Sequence, residues 1–305
     1  MTGMTRLLRE TGASRLCAGE QFAGAVRELV PAPIAARFVV DPSLCLTSIC
    51  YLARRLPMIW FSEFNAVTLV LLILAALVAG LARGFSGFGA ALIFVPLAGA
   101  LAGPKLGAPI LVIIDGLFAS FLIPSALKLG DRRDIALMFS GALFGIPLGT
   151  AILAFFAPLT LRWLIAGMAA AMLALLMSGL RYRGRPHAMA TVSVGAISGL
   201  FSGIAQIGGP PVVSYWMGAD TAHDKLRANI ILYFAASTIL SLATYVWGGL
   251  ISLQVLKFAL FTGPAYGLGT LAGSRMFGLA SPATFRAISL GLIALAVAFS
   301  LPLFG

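Results

Sequence analysis

The chain has 305 residues, of which 60% are hydrophobic and only 10% charged, whereas ordinary soluble domains are about 45–50% apolar and about 25% charged; this composition excludes a soluble globular body and makes lipid the solvent. The net charge of +11 does not point to nucleic acid, because the basic residues stand in short clusters between apolar stretches and form no basic aromatic face. All three cysteines, Cys17, Cys45 and Cys50, precede Met58, so disulfide and thiol chemistry are excluded from the rest of the chain.

Residues 1–57 differ in kind from the remainder of the chain. They mix Arg, Glu, Pro and Cys and hold no apolar run long enough to cross a bilayer. Three readings of this non-conforming extension stay open: a mobile segment, a targeting segment that lacks the continuous apolar stretch of a signal peptide, or sequence upstream of a translation start at Met58. The membrane domain is expected over 58–305.

A membrane span needs about 20 mostly apolar residues, because a helix rises about 1.5 Å per residue through about 30 Å of hydrocarbon. Eight stretches meet this requirement: 64–82, 108–127, 135–156, 161–180, 188–204, 228–247, 256–273 and 283–303. Two shorter pieces, 89–102 and 210–218, each follow a glycine-rich break and predict half-helices or broken spans. The expected fold is all-α, a polytopic helical membrane protein with eight long transmembrane helices and two short ones.

Internal repetition divides the chain. Gly80, Gly84 and Gly89 recur as Gly199, Gly203 and Gly208, and Gly145 and Gly149 find counterparts in Gly269 and Gly273. This predicts two repeats, about 64–180 and about 188–304. Basic residues, which collect in cytoplasmic loops, test whether the short pieces cross. If both cross, 11 basic residues face the cytoplasm and 3 (Lys105, Arg162 and Lys257) face outside; if both are re-entrant, the split is 7 to 7 and orients nothing. Ten crossing segments, five per half, make the halves inverted relative to each other.

The breaks carry the chemistry. Gly80 to Pro96 and Gly199 to Pro211 each interrupt a helix inside an apolar region, where freed backbone groups must be bonded or must line a polar cavity. A half-helix that restarts after such a break points its first amides outward with partial positive charge, a way to hold an anion without burying a cation. Gly89 and Gly209 are the expected restarts. Ser86, Ser202 and Gln206 can add hydrogen bonds to ligand oxygens, and Gly87, Gly89, Gly208 and Gly209, clustered beside proline and polar residues, read as binding positions. The pairs at four-residue spacing, Gly80/Gly84, Gly145/Gly149, Gly199/Gly203 and Gly269/Gly273, read instead as small-residue helix contacts.

In these two breaks the chain resembles the sulfite exporter TauE/SafE family, over about 64–303. The resemblance rests on Gly84-Phe-Ser-Gly-Phe-Gly89 leading to Val95-Pro96, and on Gly203-Ile-Ala-Gln-Ile-Gly-Gly-Pro210. It implies a membrane transporter that moves sulfite, sulfonates or other organosulfur or organic anions. Ala90 and Ala91 stand where the family continues with glycine, which implies a less close approach of the first half to its ligand.

Among ionisable groups, Asp115 lies eight residues into a span, where an acid costs about 2.5–3.5 kcal/mol unless it is protonated, paired or facing a polar cavity. It reads either as a proton-coupling site or as a hydrogen-bonded helix contact. Arg83 stands immediately before the first break, where it can attract anions at the cytoplasmic entrance or anchor the span end. Asn229 and Tyr215 read as helix–helix contacts before cavity residues.

Two rival function classes have weaker support. Gly84-Phe-Ser86-Gly87 matches the nucleophile pattern of an intramembrane serine hydrolase, but the two histidines, His187 and His223, lie in polar loops away from Ser86. A membrane subunit of a larger transport complex needs an ATPase partner, because this chain has no phosphate-binding loop. The favoured expectation is a secondary transporter or facilitator of the bacterial inner membrane. It exports a small anion by alternating access, is not an enzyme, and needs no cofactor or metal. Its partners are the anionic substrate and the lipid bilayer, with no nucleic acid and with a homo-oligomer left open.

Overall fold

The computed structural model describes residues 65–86, 89–120, 123–179, 187–217, 223–276 and 282–301. The expected extension over 1–57 lies outside them, as do Gly87 and the side chain of Ser86. The described residues form helices and connecting turns, with no strand among them. In chain order the helices are α1 (Ala66–Ser86), α2 (Ala90–Leu101), α3 (Pro104–Ala119), α4 (Ile123–Ala126), α5 (Arg132–Phe155), α6 (Pro158–Ser178), α7 (Ala188–Ala205), α8 (Gly209–Trp216), α9 (His223–Trp247), α10 (Leu253–Met276) and α11 (Pro282–Ser300).

Five of these are long and apolar enough to cross a membrane: Ala66–Gly84 within α1, all of α5, α6 and α7, and Lys225–Trp247 within α9. The other three expected long spans fall on α3, α10 and α11, which run for 16, 24 and 19 residues. The two short pieces are helices of 12 and 8 residues. Two boundaries differ from the sequence reading. Helix α1 continues to Ser86 and so carries Arg83 in its last turn, because nothing ahead of the glycine cluster breaks the helix. The span expected over 108–127 begins instead at Pro104, whose fixed φ suits a first helical turn, and ends at Ala119 before the single turn of α4.

The closest helix packing is α5 on α7 and α1 on α10, and glycine makes it possible. A Cβ on Gly141, Gly145 or Gly149 of α5 would strike the backbone carbonyls of Val192, Ala196 or Leu200 on α7. Reciprocally, one on Gly195, Gly199 or Gly203 would strike the backbone of Met138, Ala142 or Ile146 on α5. Gly80 and Gly84 meet the backbone of Tyr266 and Thr270 on α10 in the same way, and Gly269 meets that of Leu77. In lipid, where apolar burial gives no net drive between helices, this backbone approach is a main source of packing energy.

Helix α2 is buried on nearly all sides, from Ala90 through Gly99, as an all-apolar helix must be when protein surrounds it. It packs on α1, α3, α6 and α11. Helix α8 buries Val212, Tyr215 and Trp216 against Met138, Ala142, Ile146 and Tyr233; the Trp216 and Tyr233 rings meet edge to face at 6.0 Å. On the outside, Phe144, Phe155, Trp247 and Phe299 are largely exposed, a surface suited to hydrocarbon rather than water.

One loop shows how the polar ends are tied. Asp131 caps α5, accepting from the amides of Arg133 (3.1 Å) and Asp134 (3.4 Å), and pairs with Lys225 Nζ at 2.7 Å. Its own amide donates to Asn229 Oδ1 on α9 at 2.7 Å, so Asn229 is a helix contact. Tyr215 is one too, sharing a 2.7 Å hydrogen bond with Thr191. The Lys225 hydrogen bond and, beyond it, the two amides hold the Asp131 carboxyl below its ordinary value, against the smaller opposing effect of burial. A depressed acid contributes stability above its unfolded pKa of about 3.9 and loses it as pH falls through the lower folded value. Asp131→Ala should therefore destabilise the protein by about 1 kcal/mol near neutral pH, with the difference shrinking below about pH 4. Thermal unfolding in detergent across that range measures it; a difference independent of pH would remove the carboxylate from the account.

Candidate functional site

At the first break, Gly89 caps α2 with φ 102 and ψ −13, a left-handed conformation that costs an L side chain roughly 1–2 kcal/mol. The first amides of a helix have no internal acceptor. Leu92 N–H turns back to Gly89 O at 3.1 Å, and Ala90 and Ala91 sit with Gly89 in the wall of a cavity.

At the second break, α7 ends at Ala205 and Gln206 takes φ 58, the one positive φ of a non-glycine among the described residues. Its conformation is held from several directions. The Gln206 amide donates to Ser202 O at 2.9 Å, while Nε2 donates to Ser202 O at 3.0 Å and to the Tyr245 hydroxyl at 3.2 Å. Tyr245 in turn reaches Gly203 O at 2.9 Å and Ser202 O at 3.2 Å. These bonds satisfy carbonyls that the end of α7 would otherwise leave orphaned. They also occupy the Gln206 side-chain donors internally, so this residue shapes the break first and offers its nitrogen to a ligand only on turning.

Gly208 comes next with an ordinary φ of −73, and its lack of a side chain answers to space alone. A Cβ there would overlap Ser202 Oγ and both the carbonyl and hydroxyl of Ser198. Ser198 Oγ donates to Gly208 O at 2.7 Å and accepts from Tyr233 at 3.1 Å. Helix α8 then restarts at Gly209, as the sequence suggested, but Pro210 and Pro211 remove two of its first amides. Gly209 is the first-turn donor that remains beside the cavity.

The two breaks meet. Gly89, Ala90 and Ala91 from the first and Ser202, Gln206, Ile207 and Gly209 from the second line one cavity of about 60 Å³, room for a few waters or one small ion. Of the expected site residues, Gly89, Ser202, Gln206, Gly209, Arg83 and Asp115 share this wall. Gly208 stands behind it against Ser198 and Ser202. Ser86 and Gly87 have no described side chain.

Arg83 and Asp115 are paired here, with Arg83 Nε to Asp115 Oδ1 at 2.9 Å and the side chains 17% and 24% exposed. Tyr266 donates to the same carboxylate oxygen from α10. An acid inside a span is thus neither isolated nor bare; it has a cation and a phenol as partners, which offsets its desolvation. From α9 come Phe234, Ser237 and Thr238. Ser237 is 3% exposed, with its hydroxyl beside the Tyr233 phenol.

Sequence reasoning missed Tyr245, Tyr266 and the α9 face. Phe234, Ser237 and Thr238 fall at i, i+3 and i+4, one helical face; a polar pair at that spacing in an apolar span was the signal available. Nothing local marks Tyr266, which is 151 residues from Asp115.

Bilayer-length apolar helices around an internal cavity, where two interrupted helices meet, define a polytopic membrane protein. The family model for the sulfite exporter TauE/SafE matches residues 72–300, and the chain belongs to that family. It is also 26% identical over 190 residues to the probable sulfite/organosulfonate exporter TauE of Cupriavidus necator, covering 59% of this chain and 72% of that protein. No solved structure matches it. The protein is a multi-pass protein of the bacterial inner membrane.

Proposed function

We propose that the protein is a secondary transporter or facilitator that exports a small anion, such as sulfite, a sulfonate or another organosulfur or organic anion, by alternating access. The observation that carries this reading is the junction of both helix breaks on one cavity. Two helix N-termini there present amides and partial positive charge to a ligand, and Ser202 and Ser237 add hydroxyls. The printed name of the Cupriavidus necator relative, an exporter of sulfite or organosulfonate, agrees with an oxyanion cargo.

The two halves, about 64–180 and 188–304, act as inverted repeats. Their packing supports this. Helix α1, first of its half, packs on α10 of the other, and α7, first of the second half, packs on α5 of the first, so the same exchange occurs twice. Rocking at these glycine-lined contacts would open the cavity alternately to each side. Export has a driving force in the membrane potential, about 2.3 kcal/mol per charge per 100 mV, and in this reading Asp115 couples a proton.

The test is flux of sulfite, sulfoacetate, sulfate and lactate in proteoliposomes containing the full chain. Gln206→Ala removes the hydrogen bonds that shape the second break, at about 0.5–1.5 kcal/mol each. Saturable flux should fall by about tenfold in that variant. Absence of flux for every anion from folded protein would sink the transporter reading, and full flux in Gln206→Ala would detach the second break from it.

A further inference from the structure

We infer that the anion travels between the cavity and one membrane surface along a hydroxyl-bearing face of α9, and that the hydrogen bond between Thr150 and Thr244 closes this route in the structure. The inference rests on the proposed anion transport and adds to it the path the anion takes.

From Ser237 onward, α9 has two unlike faces. Ile239, Val246 and Trp247 are largely exposed, a face suited to hydrocarbon. Ser237, Ser241 and Thr244 are buried and fall at i, i+4 and i+7, which is one side of a helix. Ser237 lies in the cavity wall. At a rise of about 1.5 Å per residue, Ser241 stands about 6 Å farther along α9 and Thr244 about 10.5 Å farther. Thr244 Oγ1 meets Thr150 Oγ1 of α5 at 2.9 Å. One turn beyond, past the last residue of α9, Gly248 is exposed, so the threonine pair stands a single helical turn from the surface. Gly248 also adds no side chain there, and a Cβ on it would lie 3.5 Å from Thr150 Cγ2.

Helix-to-helix adhesion accounts for the threonine pair, but it does not account for Ser241. That hydroxyl is 0% exposed and has no hydrogen-bond partner among the described residues, a costly state for a buried donor. An oxyanion in transit, or the water that accompanies it, supplies the missing partner. Ser241 thus stands between the cavity, where Ser202, Gln206 and Ser237 meet, and the threonine pair. Successive hydroxyls lie about one helical turn apart, so an oxyanion leaving one reaches the next. The pair also joins α5 of the first half to α9 of the second, and relative motion of the halves is what the proposed transport uses.

The test uses the full chain in proteoliposomes, with Cys17, Cys45 and Cys50 replaced by serine and one cysteine introduced at a time: Ser241→Cys, Thr244→Cys, or Ile239→Cys on the hydrocarbon face. Sulfonatoethyl methanethiosulfonate, a water-soluble anion, is placed on both sides of the membrane. Only the thiolate reacts, and hydrocarbon disfavours it, so the thiols of Ser241→Cys and Thr244→Cys should be modified at least about tenfold faster than that of Ile239→Cys. The cationic trimethylammonioethyl reagent, corrected for its rate with a free thiol, should be slower at both positions. Adding Thr150→Val to Ser241→Cys removes the closing hydrogen bond and should speed modification by about threefold, the weight of one interhelical hydrogen bond in a membrane. Rates no faster than that of Ile239→Cys, in protein that still transports, would overturn the route and leave the transport reading standing. Equal rates for the two reagents would overturn it as an anion route, and a rate unchanged by Thr150→Val would overturn the threonine pair as its closure. A folded cysteine-free parent that moves no anion would overturn the transport reading and the route with it.

Discussion

Gly208→Val should cut anion flux by about tenfold to a hundredfold in protein that still folds. The valine would overlap Ser202 Oγ, Ser198 O and Ser198 Oγ, and these atoms cannot retreat. Ser198 is fixed between Gly208 O and Tyr233, and its carbonyl belongs to α7, which lies in backbone contact with α5. Overpacking of such a rigid site costs about 1–3 kcal/mol, and the least resisted response is a shift of the start of α8, which is the cavity wall itself. Gly167→Val is the control, because a side chain at Gly167 meets nothing; its flux should equal that of wild type. If Gly208→Val also transports at the wild-type rate, the second break does not shape the pathway.

Asp115→Ala should destabilise the protein by about 2–3 kcal/mol, somewhat less than the 3–5 kcal/mol of a fully buried broken pair, because both side chains keep some contact with solvent. The substitution removes the carboxylate partner of Arg83 and the acceptor of Tyr266. Most of the cost is the uncompensated arginine, so the pair can be tested by removing both members. Arg83→Met combined with Asp115→Leu should regain more than half of the loss, since replacing a buried pair by apolar groups of similar size is often nearly neutral. Denaturant or thermal unfolding in detergent of wild type, Arg83→Met, Asp115→Leu and the double variant supplies the four corners of the cycle. Losses that simply add would show that Arg83 and Asp115 do not support each other.

Much of this was legible in the chain. The ends of α2 and α8 fall within two residues of the expected short pieces, because glycine clusters with proline after them leave a helix few ways to continue. The glycine pairs at four-residue spacing also declared themselves, since that spacing places them on one face, and the structure finds Gly80, Gly84, Gly145, Gly149, Gly199, Gly203 and Gly269 at backbone contacts. Gln206 was singled out as a ligand donor, but its left-handed backbone and its bonds to Ser202 and Tyr245 result from how α7 ends and could not be read from residue type.

The sequence by itself determined the solvent, the helical class, the positions of the breaks and the presence of one acid inside a span, because each depends on local composition and spacing. Tertiary structure alone decided that the breaks share a cavity, that Arg83 neutralises Asp115, and that Tyr245 and Tyr266 complete the two ends. Those relations join residues up to 151 positions apart. Their partners are chosen by which glycine-lined faces can approach backbone to backbone, a property of paired surfaces that no single stretch of sequence contains.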